Sequence, residues 1–260
     1  MQETVLITGA SSGIGRELAK VFGKKQYNLV LVSRNEAKLN SLKTELETQE
    51  NIQIIVIAKD LSKSNAATEI CEELTKKNII IDILINNAGF GEYGLFTDTN
   101  WQKEEQMIWV NILALTHLTK LFLPGMIARK TGKILNLAST AAFQPGPLMA
   151  VYYATKAYVL SFSCAIANEL ENTGVTVTVL CPGPTASEFQ AISGMGQSKI
   201  IQGKKLPTSA DVAQFGYDVL QHGRTVAIHG FTNKLLTFFA QLMPRKPVTQ
   251  FVRFLQERPE

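Results

Sequence analysis

The sequence predicts an α/β protein: a single doubly wound parallel sheet of about seven strands flanked by helices. Three observations carry that prediction. Apolar, β-rich runs alternate along the chain with longer segments of helical period, as βαβ crossovers require. The inner strands, such as IQIIVIA and VTVTVL, are nearly continuous Val, Ile, Leu and Thr, as expected where both faces of a sheet are covered. The 260 residues suit one large α/β domain, and no Gly/Ser/Pro-rich linker divides the first 180.

In order, residues 5–8, 27–33, 52–58, 79–86, 133–138, 175–181 and 225–229 read as strands, each an apolar run rich in β-branched residues. Between them, residues 14–25, 37–49, 65–77, 101–129, 151–172 and 210–221 read as helices. Glu36 and Asp60 stand near the starts of the helices that follow, where an acid meets the positive end of the helix dipole. After Cys181 the composition changes. Residues 184–207 are rich in Gly, Ser, Gln and Lys with scattered Phe189, Ile192 and Met195, which predicts a loop with apolar anchors that can close over a site as a lid. Residues 230–260 carry Leu, Phe and Met at helical spacing beside Lys and Arg and predict a helical extension. That extension could cover a sheet edge, form a subunit contact or lie on a membrane surface, and packing against the body is the expectation.

Composition narrows the classes of function. Hydrophobic residues at 45% and charged residues at 18% exclude a disordered polyampholyte and a fibrous repeat. The net charge of +4 is spread along the chain without a dense basic run, so nucleic acid is not an expected partner. Cys71, Cys164 and Cys181 are dispersed and read as buried thiols in a reducing compartment. His117, His222 and His229 are equally dispersed, and no metal is expected. No secretory leader opens the chain, and no apolar run of about 18 residues escapes interruption by a charge or amide. A cytoplasmic protein is the expectation.

The segment VLITGASSGIGRELAK places Gly9, Ser11, Ser12, Gly13, Ile14 and Gly15 between the first strand and the first helix. Glycines there let the backbone turn tightly and approach a pyrophosphate, while the helix N-terminus directs free N–H groups at it. The spacing is GxxxGxG, and its position after an opening strand makes nucleotide binding the reading. An NAD site would offer an acid at the end of the second strand to bond the ribose 2′-hydroxyl. Here Ser33 and Arg34 stand in that place, and a guanidinium suits a 2′-phosphate that an acid would repel. NADP(H) is therefore preferred, with NAD(H) as the alternative.

Downstream lie NNAG at residues 86–89, Asn111 alone in the long helix, Ser139 just past a strand, and Tyr152-Tyr153-Ala154-Thr155-Lys156. A phenol ordinarily titrates near 10, too high for easy proton exchange at neutral pH, and a neighbouring ammonium lowers it. Tyr152 and Lys156 are i,i+4 on one predicted helix face, but Tyr153 is i,i+3 from the same lysine, so helical geometry does not choose between the tyrosines.

With TGASSGIG, this set resembles the short-chain dehydrogenase/reductase superfamily, specifically its short single-domain branch, over about residues 5–187. The resemblance implies a Rossmann fold and hydride transfer between a nicotinamide and a carbonyl or secondary alcohol. Its YxxxK spacing selects Tyr152 as general acid/base. It implies that Lys156 holds the nicotinamide ribose, that Ser139 bonds the substrate oxygen, and that Asn111 admits a water into a proton path. It further implies cofactor contacts at Asp60 and Leu61 after the third strand and at Asn87, Ala88 and Gly89 after the fourth. Others fall at Pro182, Gly183 and Thr185 in the turn after the sixth, and at Ser187 where many members have threonine. Asn86 and Asn87 are also expected to pin neighbouring strands. Phe90, Tyr93, Phe143, Leu148, Met149, Phe189, Ile192 and Met195 are the expected pocket wall. Few charges stand among them, so a small apolar carbonyl or alcohol is the expected substrate. A homodimer or homotetramer through the helices at 101–129 and 151–172 is what the resemblance implies for assembly.

Overall fold

The computed structural model describes residues 2–196, 198–203 and 205–258. Seven parallel strands lie in the order β3-β2-β1-β4-β5-β6-β7. They are β1 (Thr4–Thr8), β2 (Asn28–Ser33), β3 (Ile54–Ala58), β4 (Ile83–Asn86), β5 (Gly132–Leu137), β6 (Val175–Cys181) and β7 (Val226–Ile228). The winding reverses between β1 and β4, which pair Val5↔Ile83 through Ile7↔Ile85. Their carboxyl ends therefore open a crevice at the switch point.

Side chains alternate between the two faces with the two-residue period of a strand. Val5, Ile7, Leu29, Leu31, Ile83 and Ile85 enter one apolar core. Leu6, Val30, Val32 and Leu84 enter the other. The first core is closed by α1 (Gly13–Lys24), α2 (Glu36–Glu47) and α8 (Ser209–Gln221), through residues such as Leu18, Phe22, Leu42 and Leu220. The second is closed by α3 (Ala66–Lys76), α5 (Leu115–Arg129) and α6 (Ala150–Glu169), through Ile70, Leu74, Leu118, Met126 and Ile166. Side-chain caps set two helix starts: Asn35 accepts from the Lys38 amide at 2.9 Å to begin α2, and Thr208 and Asp211 form a reciprocal capping box on α8.

Two sequence expectations are corrected. The long helix at 101–129 is not uniform: α4 (Trp101–Ile108) passes through a π-helical segment, Trp109–Ala114, into α5. A wider turn carries an extra residue and re-aims its side chains, here turning Asn111 into the protein. The same continuous helix does hold an 18-residue window of mean hydropathy 1.4, long and apolar enough to cross a membrane by composition. In the fold it is spent covering the sheet, with Leu115, Leu118 and Met126 buried. Finally, Cys181 is buried but Cys71 and Cys164 are only half-buried, because each lies on a helix flank.

The segment after β6 contains a short helix, α7 (Phe189–Ser193), and touches the body at several points. Ala186 bridges Thr208, the Tyr93 amide donates to the Ser193 carbonyl at 2.9 Å, and Met195 and Ser198 are buried. Within it Gln197 and Lys204 lie outside the described residues. The C-terminal extension is a hairpin of α9 (Phe231–Leu242) and α10 (Arg245–Gln256). It packs as expected through Thr237, Val248, Val252 and Gln256, but leaves many large apolar side chains in solvent.

Candidate active site

The β1–α1 turn lines one side of the crevice, and two glycines there are steric requirements. Gly9 has φ +67°, and a Cβ on it would lie 2.8 Å from Asn87 Nδ2 and 2.9 Å from Ala88 Cα. A Cβ on Gly15 would meet Asn87 Nδ2 at 2.3 Å and the Gly9 carbonyl oxygen at 2.4 Å. The turn is thus pressed onto the end of β4, as a close backbone approach to a ligand requires. Thr8 ties the two strand ends together: the Asn87 and Ala88 amides both donate to Thr8 Oγ1 at 3.0 Å, and Asn87 Nδ2 donates to the Thr8 carbonyl at 2.9 Å. Asn86 turns the other way. Its Nδ2 donates to Asn136 Oδ1 at 2.9 Å and Thr119 Oγ1 at 3.1 Å, pinning β4 to β5 and α5. The strand-pinning expected of both asparagines is present, and Asn87 alone of the pair borders the crevice.

A cavity of about 350 Å³ follows the crevice, bordered by Gly9, Ser11, Ser12, Gly13, Ile14, Ser33, Arg34, Asp60, Leu61, Asn87, Ala88, Gly89 and Ser187. Gly15 packs beneath it. Ser33 is buried and its Oγ accepts from the Asn35 amide at 3.2 Å, whereas Arg34 is exposed at the rim. Asp60 accepts from the Ser62 amide and hydroxyl at 3.0 and 2.9 Å. Against the desolvation that opposes it, those bonds and the nearby Arg34 cation hold its carboxyl below the usual carboxylate range. Lys38 and Lys59 border the same end and were missed from the sequence, although Lys59 directly precedes Asp60 in the chain. A glycine cradle leading to a cationic rim fits a nicotinamide dinucleotide, pyrophosphate over the turn and adenosine end toward β2 and β3.

A second cavity of about 140 Å³ adjoins the first, sharing Ile14, Asn87, Gly89, Leu137, Ser187 and Phe189 with it. Ser139, Tyr152, Lys156, Pro182, Gly183 and Thr185 meet there. Ser139 starts a 3₁₀ turn, Thr140–Phe143, and its Oγ accepts from the Ala141 amide at 3.1 Å. Lys156 Nζ donates to the Leu137 carbonyl at 2.8 Å and lies 5.8 Å from the Tyr152 ring centroid. Tyr153 is committed elsewhere: Gln256 Nε2 donates to its hydroxyl at 2.6 Å. Both tyrosines border the cavity, and Tyr153 differs from Tyr152 in this bond.

Burial sets the electrostatics. Desolvation pushes the Tyr152 phenol well above 10, outweighing the Ser139 hydroxyl that works the other way. The direction is opposite to the lowering expected from Lys156: loss of water around a buried phenolate, with Tyr153 beside it, outweighs the Ser139 bond. Lys156 is itself lowered to about 8 by burial. Asn111 is 1% exposed, and its amide bonds the Phe90 backbone in both directions, donating to the carbonyl at 3.0 Å and accepting from the amide at 3.2 Å. Its Nδ2 also donates to Thr155 Oγ1 at 3.0 Å, next to Lys156.

Of the expected pocket wall, Met149, Phe189 and Met195 border the second cavity, and Phe90 and Ile192 the first. Tyr93 packs with Met149 and Met195 behind it. Phe143 belongs instead to the cluster of Leu115, Ala138 and Val159, and Leu148 occupies a left-handed turn at φ +67° beside neither cavity. Sequence adjacency to Ser139 and Tyr152 was misleading there, because the chain turns away from the site. The wall is completed by Gln144, Ile200, Ile201 and Gln256, which no motif signals.

The family profile described as short chain dehydrogenase matches residues 3–196. A very-long-chain 3-oxoacyl-CoA reductase of Pyrenophora tritici-repentis is 40% identical over 178 residues, 66% of this chain and 52% of the fungal protein, so the chain spans about half the length of that relative. Among solved structures, a short-chain dehydrogenase from Sphingobium yanoikuyae in complex with NADPH superposes with TM-score 0.82 at 29% identity, over 92% of this chain and 94% of that one. The bulky-bulky ketone specific alcohol dehydrogenase from Comamonas testosteroni gives 0.78 at 28% identity, covering 92% of each. The glycine cradle, the reversal of strand order above it and these likenesses converge: the chain belongs to the short-chain dehydrogenase/reductase family, oxidoreductases that act on CH–OH or carbonyl groups with a nicotinamide cofactor.

Proposed function

We propose that the protein is an NADP(H)-dependent reductase of ketones carried on apolar molecules, reversible on the matching secondary alcohols. The observation that carries this reading is the convergence of Ser139, Tyr152 and Lys156 on one pocket that opens into the glycine-lined crevice. The bound nicotinamide would supply the hydride. Tyr152 then protonates the carbonyl oxygen: its raised phenol is fully protonated at neutral pH and ready to act as an acid. Ser139 Oγ donates to the same oxygen and orients it. Lys156 Nζ, lowered to about 8 and still charged at pH 7, hands a proton on to the phenolate as it forms. Asn111 positions this set, joining the Phe90 backbone to Thr155, the residue beside Lys156.

Arg34 on the rim supports NADP(H) over NAD(H), since a guanidinium suits a 2′-phosphate; Lys38 and Lys59 border the same end but pair with Glu188 and Glu69. Asp60 is already engaged by Ser62. The apolar side chains Met149, Phe189, Met195, Ile200 and Ile201 support an apolar substrate, and the Comamonas and Pyrenophora relatives are named for a bulky ketone and a 3-oxoacyl thioester. The segment 184–207 serves as the lid, since Phe189 and Met195 reach the pocket from it. Assembly uses the α4–α5 and α6 faces, where Leu113, Ile127 and Tyr158 are exposed. Three free thiols suit the reducing cytoplasm.

A panel of ketones assayed with NADPH and NADH in parallel tests the reading. Turnover with NADPH should fall by about 10²–10⁴ in Tyr152→Phe, with cofactor affinity unchanged. Turnover that survives the substitution refutes the proton assignment, and a wild type inert to every carbonyl while binding NADPH would make the protein a nucleotide sensor.

A further inference from the structure

Helix α9 presents Phe231, Leu235, Phe238 and Leu242 to solvent at 80%, 46%, 57% and 67% exposure. Their i, i+4, i+7, i+11 spacing sets them within about 60° of arc on one helix face. On the adjoining face Leu236, Phe239 and Met243 turn toward α10, and with Phe251 they border an apolar gallery of about 900 Å³ between the hairpin and the body. The hairpin itself is firmly seated. Gln256 Nε2 donates to the Tyr153 hydroxyl at 2.6 Å and the Tyr93 hydroxyl donates to the Gln256 carbonyl at 2.8 Å, Val248 and Val252 are buried, and a Cβ on Gly183 would meet Asn233 Nδ2 at 2.5 Å. The exposed stripe is therefore the outer surface of a docked element, and soluble surfaces rarely leave so large an apolar patch uncovered.

Charge identifies what covers it. Residues 231–258 contain Lys234, Arg245, Lys246, Arg253 and Arg258 against the single acid Glu257. Arg253 pairs with Glu257, but Lys234, Arg245 and Lys246 are exposed and enter no ion pair among the described residues. Lys234 flanks the apolar stripe, and Arg245 and Lys246 follow directly at the turn beyond Leu242. The same hairpin on a second copy offers these cations no free acid among the described residues, since its Glu257 already pairs with Arg253. An anionic lipid surface satisfies both features at once, acyl chains for the stripe and headgroups for the cations.

We propose that the α9–α10 hairpin docks the protein on an anionic lipid bilayer, with the gallery beneath it leading from the acyl region to the catalytic pocket. The gallery shares Thr140, Gln144, Pro184 and Ile200 with that pocket, so the two cavities adjoin across those side chains. This last link rests on the proposed ketone reductase activity, whereas the docking itself does not.

The test is sedimentation of the full chain with vesicles of phosphatidylcholine alone and of phosphatidylcholine with about a third phosphatidylglycerol. The expected result is at least about tenfold stronger binding to the anionic vesicles, weakened by high salt. Phe238→Ser/Leu242→Ser and, separately, Lys234→Glu/Arg245→Glu/Lys246→Glu should each lose about tenfold or more while melting at the wild-type temperature. These side chains lie on the surface outside the catalytic pocket, so the charge variant keeps the test valid if the apolar one misfolds. Absence of sedimentation with either vesicle overturns the proposal. So does wild-type self-association that Phe238→Ser/Leu242→Ser abolishes without any lipid binding, which would assign the stripe to a second copy. Vesicle binding by a protein inert to all ketones would sink the proposed activity and leave the docking intact.

Discussion

Lys156 is 4% exposed, and burial lowers its amine from the usual 10.5 to about 8. Between those two values the unfolded chain holds a proton that the folded protein has released, so this residue makes stability rise with pH across that window. At pH 7 both states are charged, and the fold bears the cost of desolvating the ammonium, about 3 kcal/mol from the size of the shift. Near pH 10 most of that cost is gone. Lys156→Met removes the titration while keeping the length of the side chain, and leaves the Leu137 carbonyl without its donor at a cost of about 1–3 kcal/mol. That second cost does not vary with pH. The gap in unfolding free energy between variant and wild type should therefore shift by about 2.5 kcal/mol between pH 7 and pH 10, the variant losing ground as pH rises. Urea denaturation of both proteins at the two pH values reads the shift directly, and groups common to both cancel in the difference. A gap that stays constant with pH would show that Lys156 is solvated in the fold, and the account of this site as a desolvated pocket would fail.

Three further outcomes are expected. Arg34→Ala should raise the KM for NADPH by about 10–100-fold while changing that for NADH little, from loss of one charge-assisted contact; equal effects on both cofactors would remove the 2′-phosphate argument. Gly15→Ala should destabilise by about 1–3 kcal/mol and weaken dinucleotide binding, since its new methyl meets the Gly9 carbonyl oxygen at 2.4 Å; an unchanged thermal melt would mean that the turn can yield. Leu113→Arg should reduce the mass seen by analytical ultracentrifugation if α4–α5 forms the subunit contact, because a charge in an apolar interface goes unpaired, and an unaltered mass would place the contact elsewhere.

The seven strands were legible in place, though mostly not to their end residues, because the rules that make them are local. Continuous β-branched runs, a two-residue alternation and a glycine turn after the first of them require no knowledge of distant neighbours, and β6 was read to its end residues. The shorter β4 shows where such rules stop: the predicted strand at 79–86 begins only at Ile83, the first residue to find partners in β1 and β5. The same holds for the site. Ser139, Tyr152, Lys156 and the glycines carry their chemistry in type and spacing, so sequence alone proposed them. The pocket wall was legible only in part, because Gln256 reaches it from the far end of the chain and Ile200 and Ile201 from a segment with no motif. Nor could spacing reveal that Tyr153 is held by Gln256, or that burial raises the Tyr152 phenol against the pull of the Ser139 hydroxyl. Desolvation depends on everything packed around a group, and only the closed tertiary structure decides what surrounds it.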